Sequence, residues 1–373
     1  MNEVNLAIST IATIITAGGV VFYLLTLVAS LQAGPAALRR PAPISILKPL
    51  AGVDLGLEAN LRSFFEQRFV APFELLFAVR TEADPAVALV RRLQAEYPAV
   101  ASRLLLVGEP PYANAKVWSL NCMMREARFD LLVMADSDIR VTPDMLTALS
   151  EEEFDLTTCP YRAVGGPSIW SQLEAEGLNT EFIAGLLVAR LVEGGVKFAV
   201  GPAIAARKHV IEAIGGFEKL KDYLAEDFVM GALAAERGFN VQLSRYVVEH
   251  RIGSEPAGEN FAHRLRWNRS TRRSRPAGYV GQVFTNPLPW AMVLWVLAPA
   301  WWPLAALALT LRIVAAYYVA ERVLQARVQP LLLVAQDWLS LAFWVAGFFG
   351  NTIEWRGRRY RLEADGRFTL VSH

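Results

Sequence analysis

Two carboxylates one residue apart, Asp136 and Asp138, stand directly after the apolar run Leu131–Ala135. At the end of a buried strand such a pair can converge on a hard divalent cation, magnesium or manganese, which takes oxygen ligands from them and from a diphosphate. The plainer reading is a turn leading to the helix start at 142–144. A second pair, Glu226 and Asp227, follows Gly215-Gly216-Phe217 and opens a helical stretch over 228–237. These acids either complement a helix dipole or supply a general base that takes the proton of an attacking hydroxyl. Asp84 precedes Pro85, which opens a helix; it is an N-cap, a group that holds a nucleoside, or both. His263-Arg-Leu-Arg266-Trp267 begins a basic stretch that continues through Arg269, Arg272, Arg273 and Arg275. Attraction to anionic lipid accounts for some of these arginines, at about 1 kcal/mol each. The sharper reading has Arg266 facing a leaving diphosphate and Trp267 beside the acceptor.

The elements that must position these groups alternate. Runs at 44–47, 73–79, 103–107 and 130–135 read as strands, and 57–67, 85–97 and 115–127 as the helices between them. Short apolar strands covered by helices imply an α/β domain with a mostly parallel sheet, buried on both faces. Ligands in such sheets bind at the carboxyl ends of the strands. Each of the four ends carries a polar group: Lys48, then Arg80 to Asp84, then Asn114 and Lys116, then Asp136 and Asp138. Together they suit a nucleotide and its diphosphate.

The apolar residues lie elsewhere. Residues 4–38 carry no charge, and 6–31 is long enough to cross about 30 Å of hydrocarbon as a helix. An acidic start at Glu3 and a long core argue for a retained span over a cleaved signal peptide. Arg39 and Arg40 follow it, so the positive-inside rule places the chain beyond them in the cytoplasm. A second uncharged stretch, 276–311, is broken by Pro287, Pro289, Pro299 and Pro303. It reads as a helical hairpin with spans near 288–302 and 304–320, followed by a third candidate at 331–350 that contains Asp337. Arg312 falls inside a span, which marks either a group facing the bundle or a misplaced boundary. All ten tryptophans except Trp118 and Trp170 lie at Trp267 or later, as an aromatic belt at a bilayer surface requires. Three clean crossings would put the basic tail Arg356-Gly-Arg-Arg359 outside, against the charge rule, so one segment is expected to re-enter or lie in the interface. The helix at 186–192 is either ordinary core or part of a lipid-facing surface.

The expected organisation is therefore a membrane helix at 1–38, a cytoplasmic catalytic domain at 39–250, an arginine-rich interfacial segment at 251–285, membrane or re-entrant helices at 286–350 and a basic tail at 351–373. Over 373 residues, 37 Lys+Arg against 36 Asp+Glu argue against a nucleic-acid binder. Cys122 and Cys159 alone, without a Cys/His cluster, argue against a disulfide scaffold or a structural zinc site.

In order, Asp84, Asp136-Ser-Asp138, Glu226-Asp227 and Arg266-Trp267 resemble the D, D, D, (Q/R)xxRW pattern of inverting membrane glycosyltransferases of the GT-A fold. Ser45-Ile-Leu-Lys-Pro-Leu-Ala-Gly-Val-Asp54, Asn114-Ala-Lys116, Asp136 to Val141 and Ala225-Glu-Asp227 are similar to the ceramide glucosyltransferase family. The resemblance runs over 44–276 and the flanking membrane segments. It implies a Rossmann-like GT-A domain, UDP-glucose or another UDP-sugar as donor, the primary hydroxyl of ceramide as acceptor, a divalent cation and an integral membrane protein, in a bacterium of the inner membrane. By position it implies that Asp84 holds the uridine part, that Lys48, Asn114 and Lys116 lie at the nucleotide, and that Asp136 and Asp138 serve the metal. Asp227 would be the base, and Arg266 with Trp267 would close the site. His263 stands where the pattern has Gln or Arg. The stretch 180–200 departs from the animal enzymes, and a related bacterial family that glycosylates hopanoids shares most of the motifs. A hopanoid acceptor is therefore the first alternative. A processive polysaccharide synthase and a non-catalytic membrane scaffold are the others, and the short C-terminal spans are a poor channel for the former.

Overall fold

A computed structural model describes residues 3–32, 41–355 and 358–371. Arg39 and Arg40, on which the charge-based orientation rests, and Arg356 of the basic tail lie outside the described residues. The chain divides into two compact units. The sheet unit comprises 34–161, 195–253 and 357–373; the helical unit comprises 1–33, 162–194 and 254–356. The expected catalytic stretch 39–250 thus gives residues 162–194 to the helical unit, and the last residues of the tail belong with the sheet.

The sheet unit is built on seven strands in the order Ser102–Leu106, Phe73–Val79, Ile44–Pro49, Leu131–Ala135, Ala203–Arg207, Leu156–Thr158, Val241–Leu243. The first four pair in parallel; the inner three are buried on both faces, and the edge strand Ser102–Leu106 is half-buried. Ile46, Leu47, Leu75, Leu76, Phe77, Leu132 and Val133 have no exposed surface, each worth about 1.5–3 kcal/mol of burial. Truncating one of them, Phe77→Ala for example, costs about 3–5 kcal/mol. Helices Leu57–Phe65, Ala86–Glu96 and Ala115–Glu126 lie between the strands in sequence. Ala203–Arg207 then runs antiparallel to both neighbours, with Ala135 opposite Ala203. The sheet is therefore mixed, and this reversed strand carries no sequence signal, because alanine has little strand preference. The reversal has a consequence: the Asp136 amide donates to the Pro202 carbonyl (3.1 Å), so Gly201 arrives beside the acidic strand end.

Among its described residues the helical unit contains three helices long and apolar enough to cross a membrane: Glu3–Ser30, Pro299–Val323 and Pro330–Gly347. A fourth candidate, Pro276–Phe284 with Pro287–Leu297, is bent by 49°; Pro287 and Pro289 remove backbone donors at the break. Arg312 faces the bundle. It is fully buried, donates to Asp337 (2.7 Å) and reaches the Thr180 hydroxyl (3.1 Å). Asp337, which made the last span look weak, is therefore the partner of Arg312, as a charge in an apolar surround requires. Glu181 accepts from Thr285 (2.8 Å), Asn286 (2.7 Å) and Ser340 (2.7 Å). These bonds tie the Leu178–Phe182 turn to the apolar helices. The helix Ile183–Val192 belongs to the same unit, and its Arg190 donates to the Ala29 (3.1 Å) and Gln32 (3.3 Å) carbonyls. Those carbonyls lie at the end of Glu3–Ser30, where a helix leaves acceptors unpaired.

Candidate active site

The site in the sheet unit starts from a buried lysine. Lys48 is the next-to-last residue of the strand Ile44–Pro49, has no exposed surface, donates to the Asp136 carbonyl and lies 4.1 Å from the centre of the Phe64 ring. Burial pulls its ammonium down to about 7, against the opposing charges of Asp136 and Asp138.

Helix Ala115–Glu126 begins at Asn114, whose side chain accepts from the Val117 amide (3.1 Å). That cap fixes the first turn and with it Lys116. The Lys116 ammonium stands 2.7 Å from Asp136 Oδ1 and 2.9 Å from Glu226 Oε1. Burial opposes its charge, but Asp136, Glu226 and Asp227 outweigh burial and hold it well above the usual lysine range. Asn114 Nδ2 also donates to the Tyr223 carbonyl (2.8 Å) and to Glu226 Oε2 (3.3 Å). Both Glu226 oxygens are thus engaged, one by Lys116 and one by Asn114.

Asp227 is the next residue, in the first turn of Glu226–Glu236. It borders one cleft together with Pro49, Lys116, Asp136, Gly201 and Glu226. Burial, and after it the charge of Glu226, pushes its carboxyl up to about 7. A carboxylate with that affinity for protons is suited to general-base work near neutral pH.

Asp138 Oδ2 lies 3.3 Å from His250 Nε2. Burial would raise its carboxyl, but His250 outweighs burial and holds it low. His250 comes from the strand Val248–Arg251, where it pairs with Ile139. The side chains of Asp136 and Asp138 stay 32% and 40% exposed. Four carboxylates, Asp136, Asp138, Glu226 and Asp227, are met by two lysines, Lys48 and Lys116, and by His250 at Asp138. Among the described residues no group of three or more His, Cys, Asp or Glu could hold a metal by itself. Two partly exposed carboxylates in a negatively charged cleft are still a fitting donor set for a hard cation that completes its shell from water and phosphate.

The structure thus gathers Lys48, Asn114, Lys116, Asp136 and Asp227 of the expected site residues, with Asp138 one residue away. Asp84 does not border this cleft. Its carboxylate accepts from the Gly52 amide (3.1 Å to each oxygen) and from the Ala86 amide (2.9 Å), so it caps its helix and also ties down the loop after the first strand. Arg266 and Trp267 sit on the helix Ala257–Ser274 of the helical unit. There the Arg266 guanidinium lies 5.9 Å from the Trp355 ring, and Trp267 packs edge-on to His263 at 4.6 Å. His263 Nδ1 is 3.7 Å from Glu174. Two contributors were not singled out in the sequence, Gly201 and His250. Glu226 was visible beside Asp227. Gly201-Pro202 marked a turn, and nothing in the local pattern pointed to His250.

Residues 10–368 match the profile of glycosyl transferase family 21. The chain belongs to this family. Ceramide glucosyltransferase 1 of Caenorhabditis elegans is 31% identical over 209 residues, 54% of this chain and 44% of that one. Ceramide glucosyltransferase 3 of the same organism is 28% identical over 237 residues, 60% of this chain and 49% of that one. The matched part spans about half the length of these curated relatives. A mannosyltransferase from Pyrobaculum calidifontis, solved with GDP-Man and Mn2+, superposes with a TM-score of 0.55 at 19% identity, over 92% of this chain and 97% of that one. The family 21 chain therefore has the GT-A fold with added apolar helices.

Proposed function

We infer that this glycosyltransferase moves glucose from UDP-glucose to the primary hydroxyl of ceramide at a membrane surface, with inversion at the sugar carbon. The observation that carries the reading is the placement of Asp227 on the same cleft as the Lys116–Asp136 pair, at the carboxyl end of the sheet. The named relatives supply the choice of ceramide and glucose.

In this reading Asp227 takes the proton of the lipid hydroxyl as its oxygen attacks C1 of the α-linked glucose from the face opposite the diphosphate. A β-glycoside and UDP result. Glu226, fixed by Lys116 and Asn114, keeps Asp227 basic. Lys116 carries fixed positive charge next to Asp136, where negative charge collects on the leaving group. Lys48 fixes the Asp136 backbone from beneath. Asp84, through Gly52, shapes the loop proposed to hold the uridine part. Asp136 and Asp138 would hold the divalent cation, manganese or magnesium, whose charge when bound offsets that of the diphosphate. Arg266 and Trp267 are assigned to closing the site on the leaving diphosphate and the acceptor. An acceptor with acyl chains leaves a bilayer at a cost of about 0.8 kcal/mol per CH₂, so the apolar helices serve to bring the chemistry to the lipid.

The test is purified protein in detergent with UDP-glucose, UDP-galactose and UDP-N-acetylglucosamine, each offered with ceramide or a hopanoid, products read by mass spectrometry. One hexose added to ceramide from UDP-glucose is expected. A glycosylated hopanoid alone would move the acceptor assignment, several sugars per product would favour a polymerase, and no transfer from any donor would sink the reading.

A further inference from the structure

The last strands of the chain fold onto the segment that carries the acid pair. Arg358–Leu362 and Phe368–Leu370 form an antiparallel hairpin with Tyr360 opposite Leu370 and Leu362 opposite Phe368. Its inward side chains, Tyr360, Leu362 and Phe368, are buried, and the Tyr360 and Phe368 rings meet at 5.0 Å. The hairpin joins the sheet unit along 222–224. The Phe368 amide donates to the Asp222 carbonyl (2.8 Å), the Leu224 amide donates to the Gly366 carbonyl (3.5 Å), and Tyr223 bridges to Arg367. Arg367 Nε also donates to the Tyr223 hydroxyl (3.4 Å), its guanidinium 5.6 Å from the ring centre.

The segment so held has no regular structure of its own, and it ends at Glu226. Asn114 grips it as well: its side chain donates to the Tyr223 carbonyl, and its backbone amide donates to the Lys221 carbonyl (3.3 Å). A stretch of five residues, 221–225, is therefore fixed by two elements distant in sequence. One of them, Asn114, touches Glu226 directly; the other is the C-terminal hairpin.

We propose that the C-terminal hairpin is a clamp on 221–225, with Phe368 and Arg367 as positioning residues that set where Glu226 and Asp227 stand in the cleft. The effect on turnover rests on the reading of Asp227 as the base; the effect on the segment's order does not. Without the hairpin, the backbone of 222–224 loses two hydrogen bonds and its packed neighbour, and the acid pair samples positions away from the hydroxyl. A misplacement of about 1 Å is enough to cost about 10²-fold in rate.

The experiment uses the full chain in detergent, as the parent and as Phe368→Ala and Arg367→Ala. Amide hydrogen exchange over 221–227 is expected to speed up at least about tenfold in Phe368→Ala and by a smaller factor in Arg367→Ala, with 115–126 and 131–135 unchanged. The kcat is expected to fall about tenfold and threefold respectively, with KM for UDP-glucose unchanged. If Phe368→Ala loosens the whole sheet unit, Arg367→Ala decides. Unchanged exchange over 221–227 in Arg367→Ala overturns the clamp, and so does faster exchange with unaltered kcat. Exchange needs no turnover, so a parent that transfers no sugar removes the activity reading while the exchange result still judges the clamp.

Discussion

A β-carbon added to Gly201 would lie 2.8 Å from Oδ2 of Asp227. Gly201 is thus the wall against which the acid rests, and it must stay bare. In Gly201→Ala one of the two has to move, and Asp227 is the group with freedom to do so. The variant is expected to fold, to bind UDP-glucose as the parent does, and to lose between about tenfold and 10²-fold in kcat. Thermal melting and initial rates check it; parental kcat would show that Asp227 is not held by this contact.

Asp227→Asn keeps the shape of the side chain and removes its ability to take a proton. Transfer is expected to fall by about 10²–10⁴-fold, with UDP-glucose affinity by calorimetry retained. Turnover close to the parent's would assign the base to another group.

The pH profile follows from the raised carboxyl. Asp227 works when ionised, and burial with Glu226 pushes its pKa up to about 7. Below that value kcat/KM is expected to drop about tenfold per pH unit. Stability moves in the opposite sense. A carboxyl whose folded pKa exceeds its unfolded value of about 3.9 contributes fully below about pH 4, and the contribution is lost as pH rises to about 7. Asp227→Asn should therefore gain melting temperature relative to the parent at pH 8 and not at pH 4. A gain that is the same at both pH values would mean that the carboxyl is not perturbed.

The buried pair in the helical unit makes a separate prediction. Arg312 and Asp337 have no exposed surface. Removing one partner leaves the other charged and unpaired, at a cost of about 3–5 kcal/mol. Arg312→Met alone and Asp337→Leu alone should each melt far below the parent in detergent. The double variant should recover most of the loss, because no charge is left buried. A double variant as unstable as the sum of the singles would mean that the pair contributes more than charge balance.

Much of this architecture was readable because it is local. The four apolar runs at 44–47, 73–79, 103–107 and 130–135 announce parallel strands, and the polar residues at their ends follow from where such sheets bind ligands. Ala203–Arg207 was hidden because three small residues in five give no burial pattern. The His250–Asp138 contact joins residues far apart in sequence that no spacing rule connects. Arg358 to Leu362 was read as a basic tail because its charge dominates, yet Arg359-Tyr360-Arg361-Leu362 alternates with the period of a half-buried strand. The charge of Arg312 was legible as a problem, and its solution at Asp337 needed the packing of two helices.

The C-terminal hairpin also leads to a prediction about membrane topology. Residues 195–253 and 358–371 belong to the same sheet unit, so the chain between them crosses the bilayer an even number of times. That interval holds two long apolar helices, Pro299–Val323 and Pro330–Gly347, and the bent pair Pro276–Phe284 with Pro287–Leu297. Two crossings satisfy the count, and three do not. The expectation is that the two long helices cross and that the bent pair, with its proline-broken 49° bend, does not. Single cysteines at the exposed positions Ala300, Arg327 and Asp365, in a background with Cys122→Ser and Cys159→Ala, test this with a membrane-impermeant thiol reagent on oriented vesicles. Ala300→Cys, Asp365→Cys and a fourth single cysteine at the exposed sheet-unit position Val70 should react from one side and Arg327→Cys from the other. Reaction of Val70→Cys and Ala300→Cys from opposite sides would mean that the bent pair crosses, and reaction of Val70→Cys and Asp365→Cys from opposite sides would separate the hairpin from the sheet unit it is folded into.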